Sequence, residues 1–119
     1  DDILYLQIKE GECLNLSETK ILVKNGVILT DGNKFKVITD FTTNSKHIGV
    51  FTDEAKTFVG TDKNFNSYKI CDAFILNTFV QSLLAGIYFK FTKPLTKTRT
   101  FSNFKDAVEW VKTFELVTA

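Results

Sequence analysis

Four times along the 119 residues, a short run of β-forming residues is followed by a segment with helix-capping and helical spacing. That alternation constrains the fold most. Parallel strands cannot be joined by a tight turn; they need a crossover of a dozen or so residues, usually a helix. The predicted strands are Ile3 to Lys9 (ILYLQIK), Phe35 to Phe41 (FKVITDF), Tyr68 to Leu76 (YKICDAFIL) and Thr96 to Phe101 (TKTRTF). From Ile70 onward the third is almost continuously apolar, the pattern of a strand covered on both faces. The expected fold class is α/β. It is a single domain with a mixed, mostly parallel sheet of about four to five strands flanked by helices.

The intervening segments carry helix signals. Asn15, with Glu18 three residues on, forms a capping box, and a helix is expected from Leu16 to Ile28. Its buried face is read as Leu14, Ile21, Leu22 and Ile28, with Gly26 weakening the later half. Asp31-Gly32-Asn33 is a turn. Thr52 is expected to cap a helix through Val59, with Asp53 and Glu54 in its first turn, and Gly60 to Ser67 reads as a loop. Asn77 is expected to cap a helix from Thr78 to Phe91, which ends before Lys93-Pro94. Ser102 is expected to cap the last, where Phe104, Ala107, Val108, Val111 and Phe114 form one apolar stripe beside Trp110. The expected core contains Ile38, Ile70, Ile75, Leu83, Leu84, Val108 and Val111.

Hydrophobic residues at 44% and charged residues at 24% exclude a disordered chain, a collagen and a coiled coil. A net charge of +1 gives no overall field for nucleic acid, so no nucleic-acid partner is expected. Cys13 and Cys71 form no CxxC pair and His47 is the lone His, which excludes a structural zinc site. The cysteines read as small buried hydrophobes, and reduced thiols fit a cytoplasmic protein. Glycine-rich phosphate loops and the G-x-S-x-G elbow are absent from the sequence. A non-catalytic protein without metal or cofactor is expected. The lack of any Met predicts that the natural chain starts further upstream.

Two regions invite binding. In open α/β sheets ligands sit beyond the carboxyl ends of the strands. That edge should gather Asp40, Thr42, Thr43, Asn44, Asn77 and Thr78. Second, no acidic residue lies between Asp72 and Asp106, an interval holding Lys90, Lys93, Lys97, Arg99 and Lys105 around the aromatic-rich helix. These residues read either as a buried helix with solvated lysines or as a contact for an anionic ligand, a lipid surface or an acidic partner. Because that helix is apolar almost all round, a homodimer burying part of it is expected, with Tyr88, Phe89 or Phe91 as anchors.

The segment AFILNTFVQSLLAGIYFKFTKPLTKTRTFSNFKDAVEWVKTF resembles a small bacterial family of STAS-like, or SpoIIAA-like, proteins. The shared features are the apolar strand with Asn77, the helix ending FKF, Lys93-Pro94, Phe101-Ser102, and Ala107 to Trp110. LNLSETKILVKNG and FKVITDF fit the family's first helix and second strand, and the strand that the family often has ahead of ILYLQIK is missing here. The resemblance implies a sheet flanked by helices and a non-catalytic regulatory or protein-interaction role. It implies as an alternative a small-ligand or lipid-binding domain with a Phe-rich apolar pocket. In anti-sigma antagonists of this type, an Asp-Ser-Ser-Gly-like segment opens the helix after the second strand. Here Thr52, Asp53, Glu54 and Ala55 stand in its place, so the usual phosphoacceptor serine is missing and a kinase switch is not expected.

Overall fold

A computed structural model describes residues 3–7, 14–41, 52–76, 78–91 and 93–114. In chain order the elements are β1 (Ile3–Gln7), α1 (Leu16–Leu29), β2 (Phe35–Asp40), α2 (Asp53–Thr61), α3 (Lys63–Tyr68), β3 (Lys69–Ile75), α4 (Phe79–Phe91), β4 (Thr98–Phe101) and α5 (Phe104–Lys112). Within α4 the described side chains are those of Ser82, Leu83, Ala85, Ile87, Phe89 and Lys90. The four strands form one sheet in the order β1-β2-β3-β4, and every pair is parallel. Tyr5 lies opposite Ile38, Ile38 opposite Ala73, and Ala73 opposite Arg99.

Sequential order fixes where the helices go. Crossovers between parallel strands are right-handed, so three successive ones in the same direction deliver their helices to one face. On that face Leu4, Leu6, Phe35 and Val37 of the sheet pack with Val23 and Val27 of α1, Val59 of α2, and Phe65 and Tyr68 of α3. Phe74 points to the same face by strand alternation, and Phe89 of α4 stacks on it at 5.9 Å between centroids. The opposite face belongs to α5. There Ile38, Cys71, Ala73 and Ile75 meet Ala107 and Val111, with Val108, Trp110 and Phe114 around them.

The α1 helix has the expected capping box, with Asn15 Oδ1 accepting from the Glu18 N–H at 2.9 Å. Its phase differs from the expected one. Thr19 and Gly26 are buried and Val23 and Val27 pack inward, whereas Ile21 and Ile28 are 61% and 63% exposed. Gly26 is the reason: a Cβ there would stand 3.0 Å from Leu4 Cδ2, so the small residue lets α1 lie flush on β1. The stretch expected as a loop from Gly60 to Ser67 contains α3. Asp62 caps it, accepting from the Phe65 N–H at 2.8 Å, and Asn66 donates its amide to the Val59 and Asp62 carbonyls. Its polar residues serve as caps and ties. The last helix is capped by Asn103, not Ser102: Asn103 Oδ1 accepts from the Asp106 N–H at 2.9 Å. The last strand starts at Thr98. Just before it, the Thr96 hydroxyl is tied to Asn66 Oδ1 at 2.5 Å and the Leu95 N–H to the Gly60 carbonyl at 2.9 Å.

Of the expected core, Ile38, Ile75 and Val111 are fully buried and Val108 packs against them. Leu83 is 53% exposed, because α4 turns another face to the sheet; the Leu84 side chain lies outside the described residues. Ile70 is half-buried because β3 carries an extra residue against β2. Between Phe35 and Val37 on one strand stand Lys69 to Asp72 on the other. This irregularity shifts the side-chain alternation by one. It brings Lys69 and Asp72 onto the same face, where their side chains, 2% and 5% exposed, form an ion pair at 2.8 Å. Lys69 Nζ also lies 3.4 Å from the Val59 carbonyl and 4.6 Å from the centre of the Phe65 ring.

Removing one partner of such a pair leaves a buried charge uncompensated. Lys69→Met is expected to cost about 3–5 kcal/mol in urea unfolding, and Lys69→Met with Asp72→Leu much less. Additive losses in the double variant would show that the pair contributes no coupling.

Candidate functional site

The carboxyl edge of the sheet holds the first group of expected site residues. Asp40 ends β2 and is buried. Its carboxylate accepts a hydrogen bond from the Tyr5 hydroxyl, at 2.6 Å. Register explains the pairing: Gln7 lies opposite Asp40, so Tyr5, two residues earlier, is its diagonal neighbour on the same face. The hydrogen bond to Asp40, then burial, then the carboxylate's charge push the Tyr5 hydroxyl up to about 12. Near neutral pH the hydroxyl is therefore a committed donor rather than a base. Phe104 of α5 meets the Tyr5 ring edge-on at 5.3 Å, and both rings are about half exposed. Thr78, half-buried, precedes α4 and accepts the Ser82 N–H through its carbonyl at 3.1 Å. Thr42, Thr43, Asn44 and Asn77 lie outside the described residues. Strand order never reverses among the described strands, so this edge lacks the switch-point crevice that usually receives a ligand.

At the switch-like position, Thr52 is the N-cap of α2. Its Oγ1 accepts from the Ala55 N–H at 3.3 Å, and its own N–H donates to the Leu14 carbonyl at 3.0 Å. Asp53 and Glu54 occupy the first turn, with Lys56 Nζ 3.9 Å from Asp53. Two carboxylates already stand at the positive end of this helix. Between α1 and α2 runs an open groove of about 540 Å³ lined by Leu16, Lys20, Glu54, Phe58 and Asp62 among others. Lys20 covers Phe58 at 5.7 Å.

The third region is α4. Ser82, Leu83, Gly86, Ile87 and Lys90 are exposed, while Ala85 and Phe89 are half-buried. At roughly 100° per residue the exposed set spans about 140° of arc, a continuous outer face. Leu83 and Ile87 are 53% and 48% exposed, and Leu95 just beyond the helix is exposed as well. Phe89, expected as an outward anchor, instead packs on Phe74, which in turn meets Phe41 edge-on at 5.7 Å. The side chains of Tyr88 and Phe91 lie outside the described residues. The basic group divides. Lys90, Lys93 and Lys97 are exposed on and after α4. Arg99 pairs with Ala73, so it faces the α5 side, with its guanidinium 5.2 Å from the Phe101 ring. Among the described residues no three His, Cys, Asp or Glu side chains cluster as a metal site, and no helix is long and apolar enough to cross a membrane.

Sequence reasoning missed Tyr5 and misassigned Leu83. The diagonal rule exposes the first once a register is assumed. A count of faces exposes the second, since Phe89 and Leu83 point in different directions on one helix.

Residues 1–115 match a family model described as a domain of unknown function (DUF7793). No curated protein and no solved structure matches the chain.

The Tyr5 assignment is open to direct titration. Phenolate absorbance of the folded chain should show a late transition near pH 12 that Tyr5→Phe removes and Asp40→Asn moves downward. In the unfolded chain Tyr5 ionises near its ordinary 10, so this bond's stabilisation is complete below pH 10 and falls away from pH 10 to 12. A titration unchanged by Tyr5→Phe above pH 11 or so would contradict the assignment.

Proposed function

The chain belongs to the DUF7793 family, and we propose that it is a non-catalytic interaction module of the STAS-like kind whose contact face is the outer side of α4. The observation that carries this reading is the half-exposure of Leu83 and Ile87, one turn apart on a helix that has no acidic residue. Isolated surface apolar residues are ordinary, but neighbours on one helical face mark a contact surface. The polar residues of the other candidate regions have structural work. Asn15, Thr52, Asp62 and Asn103 cap helices, and Tyr5 holds Asp40. At the position of a regulatory phosphate in anti-sigma antagonists, Asp53 and Glu54 supply fixed negative charge, so the module acts without that switch. The strand–helix order and the motifs from Asn77 to Trp110 support the STAS-like part of the reading.

A photo-crosslinking amino acid placed at Ile87, with a second variant at exposed Ser17 on α1 as control, tests the contact face in cells. Position 87 should give covalent adducts with protein or lipid that position 17 lacks. Equal labelling at both sites, or none at 87, would contradict the reading.

A further inference from the structure

We infer that the outer edge of β4 accepts an extended acidic peptide as an added strand, with its carboxylates set against Lys97 and Arg99. This contact is separate from the outer side of α4 and does not depend on it. Parallel pairing decides which backbone groups of β4 are turned outward. The Asp72 N–H donates to the Lys97 carbonyl at 3.0 Å, and the Leu76 N–H to the Phe101 carbonyl at 2.8 Å. Peptide groups alternate along a strand, so Lys97, Arg99 and Phe101 direct theirs toward β3, while Thr98 and Thr100 direct N–H and C=O away from it. Among the described residues β4 pairs with β3 alone. A row of outward donors and acceptors is a template for strand addition.

Charge selects the occupant. Arg99 lies opposite Ala73, and Lys97, two residues earlier, shares its face on the α5 side. Both residues are exposed, and neither forms an ion pair with a carboxylate of the fold. The Arg99 guanidinium lies 5.2 Å from the Phe101 ring, and Phe101 with Trp110, both half-buried and 5.6 Å apart, continues that face as apolar surface. A second copy of this edge would set Lys97 and Arg99 against their like, and like charges facing across a ladder are destabilising. A strand with carboxylates at alternate positions meets both cations instead. An apolar side chain two residues further along covers Phe101.

Titration of the full chain with the capped peptide Val-Thr-Glu-Thr-Glu-Thr-Val, followed by amide NMR, tests this. The Thr98 and Thr100 amides should shift and become protected from hydrogen exchange, and the analogue with Lys in place of Glu should not bind. Lys97→Gln with Arg99→Gln should weaken binding about tenfold. Thr100→Pro removes one outward N–H, leaves the β3 ladder intact and should abolish binding with both cations present. Ile21→Ser with Ile28→Ser, which removes exposed apolar side chains of α1, should leave binding unchanged. The amide spectrum of each variant establishes that it is folded. Protection of the Thr98 and Thr100 amides in the free chain would overturn the proposal, as would absence of shifts up to about 1 mM peptide. Equal binding of the Lys analogue, or full affinity in the doubly neutralised variant, would overturn it as well.

Discussion

The handedness of the crossover between parallel strands is the constraint on which the rest of the structure depends. With the strands in sequential order, α1, α2 with α3, and α4 are all sent to one face of a four-stranded sheet. Strands are about 4.8 Å apart, so four of them offer roughly 19 Å of width, room for about two helices at 8–10 Å spacing. The α1, α2 and α3 helices pack on the sheet around Phe35, Val37 and Phe65. The α4 helix is left toward the β4 side, held by the stack of Phe89 on Phe74. On its outer arc Leu83 and Ile87 are about half exposed.

The other face shows the complementary imbalance. Among the described residues one nine-residue helix, α5, covers it, and its stripe of Ala107 and Val111 reaches the central strands through Ile38, Ala73 and Ile75. Small residues at Ala73 and Ala107 let helix and sheet approach closely, while Phe101, Trp110 and Phe114 build an aromatic margin on the β4 side. On the β1 side the covering is thinner. Tyr5 meets the edge of Phe104 there, and its hydroxyl is fixed by Asp40. The irregularity in β3 places a second polar pair, Lys69 and Asp72, in the crowded layer beneath α2 and α3. Both pairs join a charge to a specific partner in a place where slippage of register would strand it, which ties β1 to β2 and the start of β3 to the helices above it.

The four strands and the starts of α1 and α2 could be read from the sequence because caps and strand composition are local signals. Asn15 with Glu18 and Thr52 with Ala55 sit where short-range chemistry puts them. The failures share a different character. Ile21 and Ile28 look like a buried stripe until Gly26 is recognised as the contact with Leu4, which depends on how two distant elements meet. Asn64, Asn66 and Ser67 look like loop residues until Asp62 is seen to cap a short helix. Leu83 looks like core until α4 is seen to turn its Phe89 side to the sheet. Tyr5 has no motif, and only the parallel register with β2 gives it a partner. Of the expected site, Asp40 and Thr52 are where they were placed, with structural partners in hand. The exposure of Leu83 and Ile87 follows from which side α4 turns to the sheet, which no local pattern records.

The central claim is that α4 leaves Leu83 and Ile87 exposed in the isolated chain. A water-soluble paramagnetic agent added to the methyl-labelled protein measures this directly, because methyl resonances broaden according to their distance from solvent. The resonances of Leu83 and Ile87 should broaden strongly, as should those of Ile21 and Ile28, while Ile38 and Ile75 stay sharp. If Leu83 and Ile87 are protected to the same degree as Ile38 and Ile75, α4 is buried and the account of this fold is wrong.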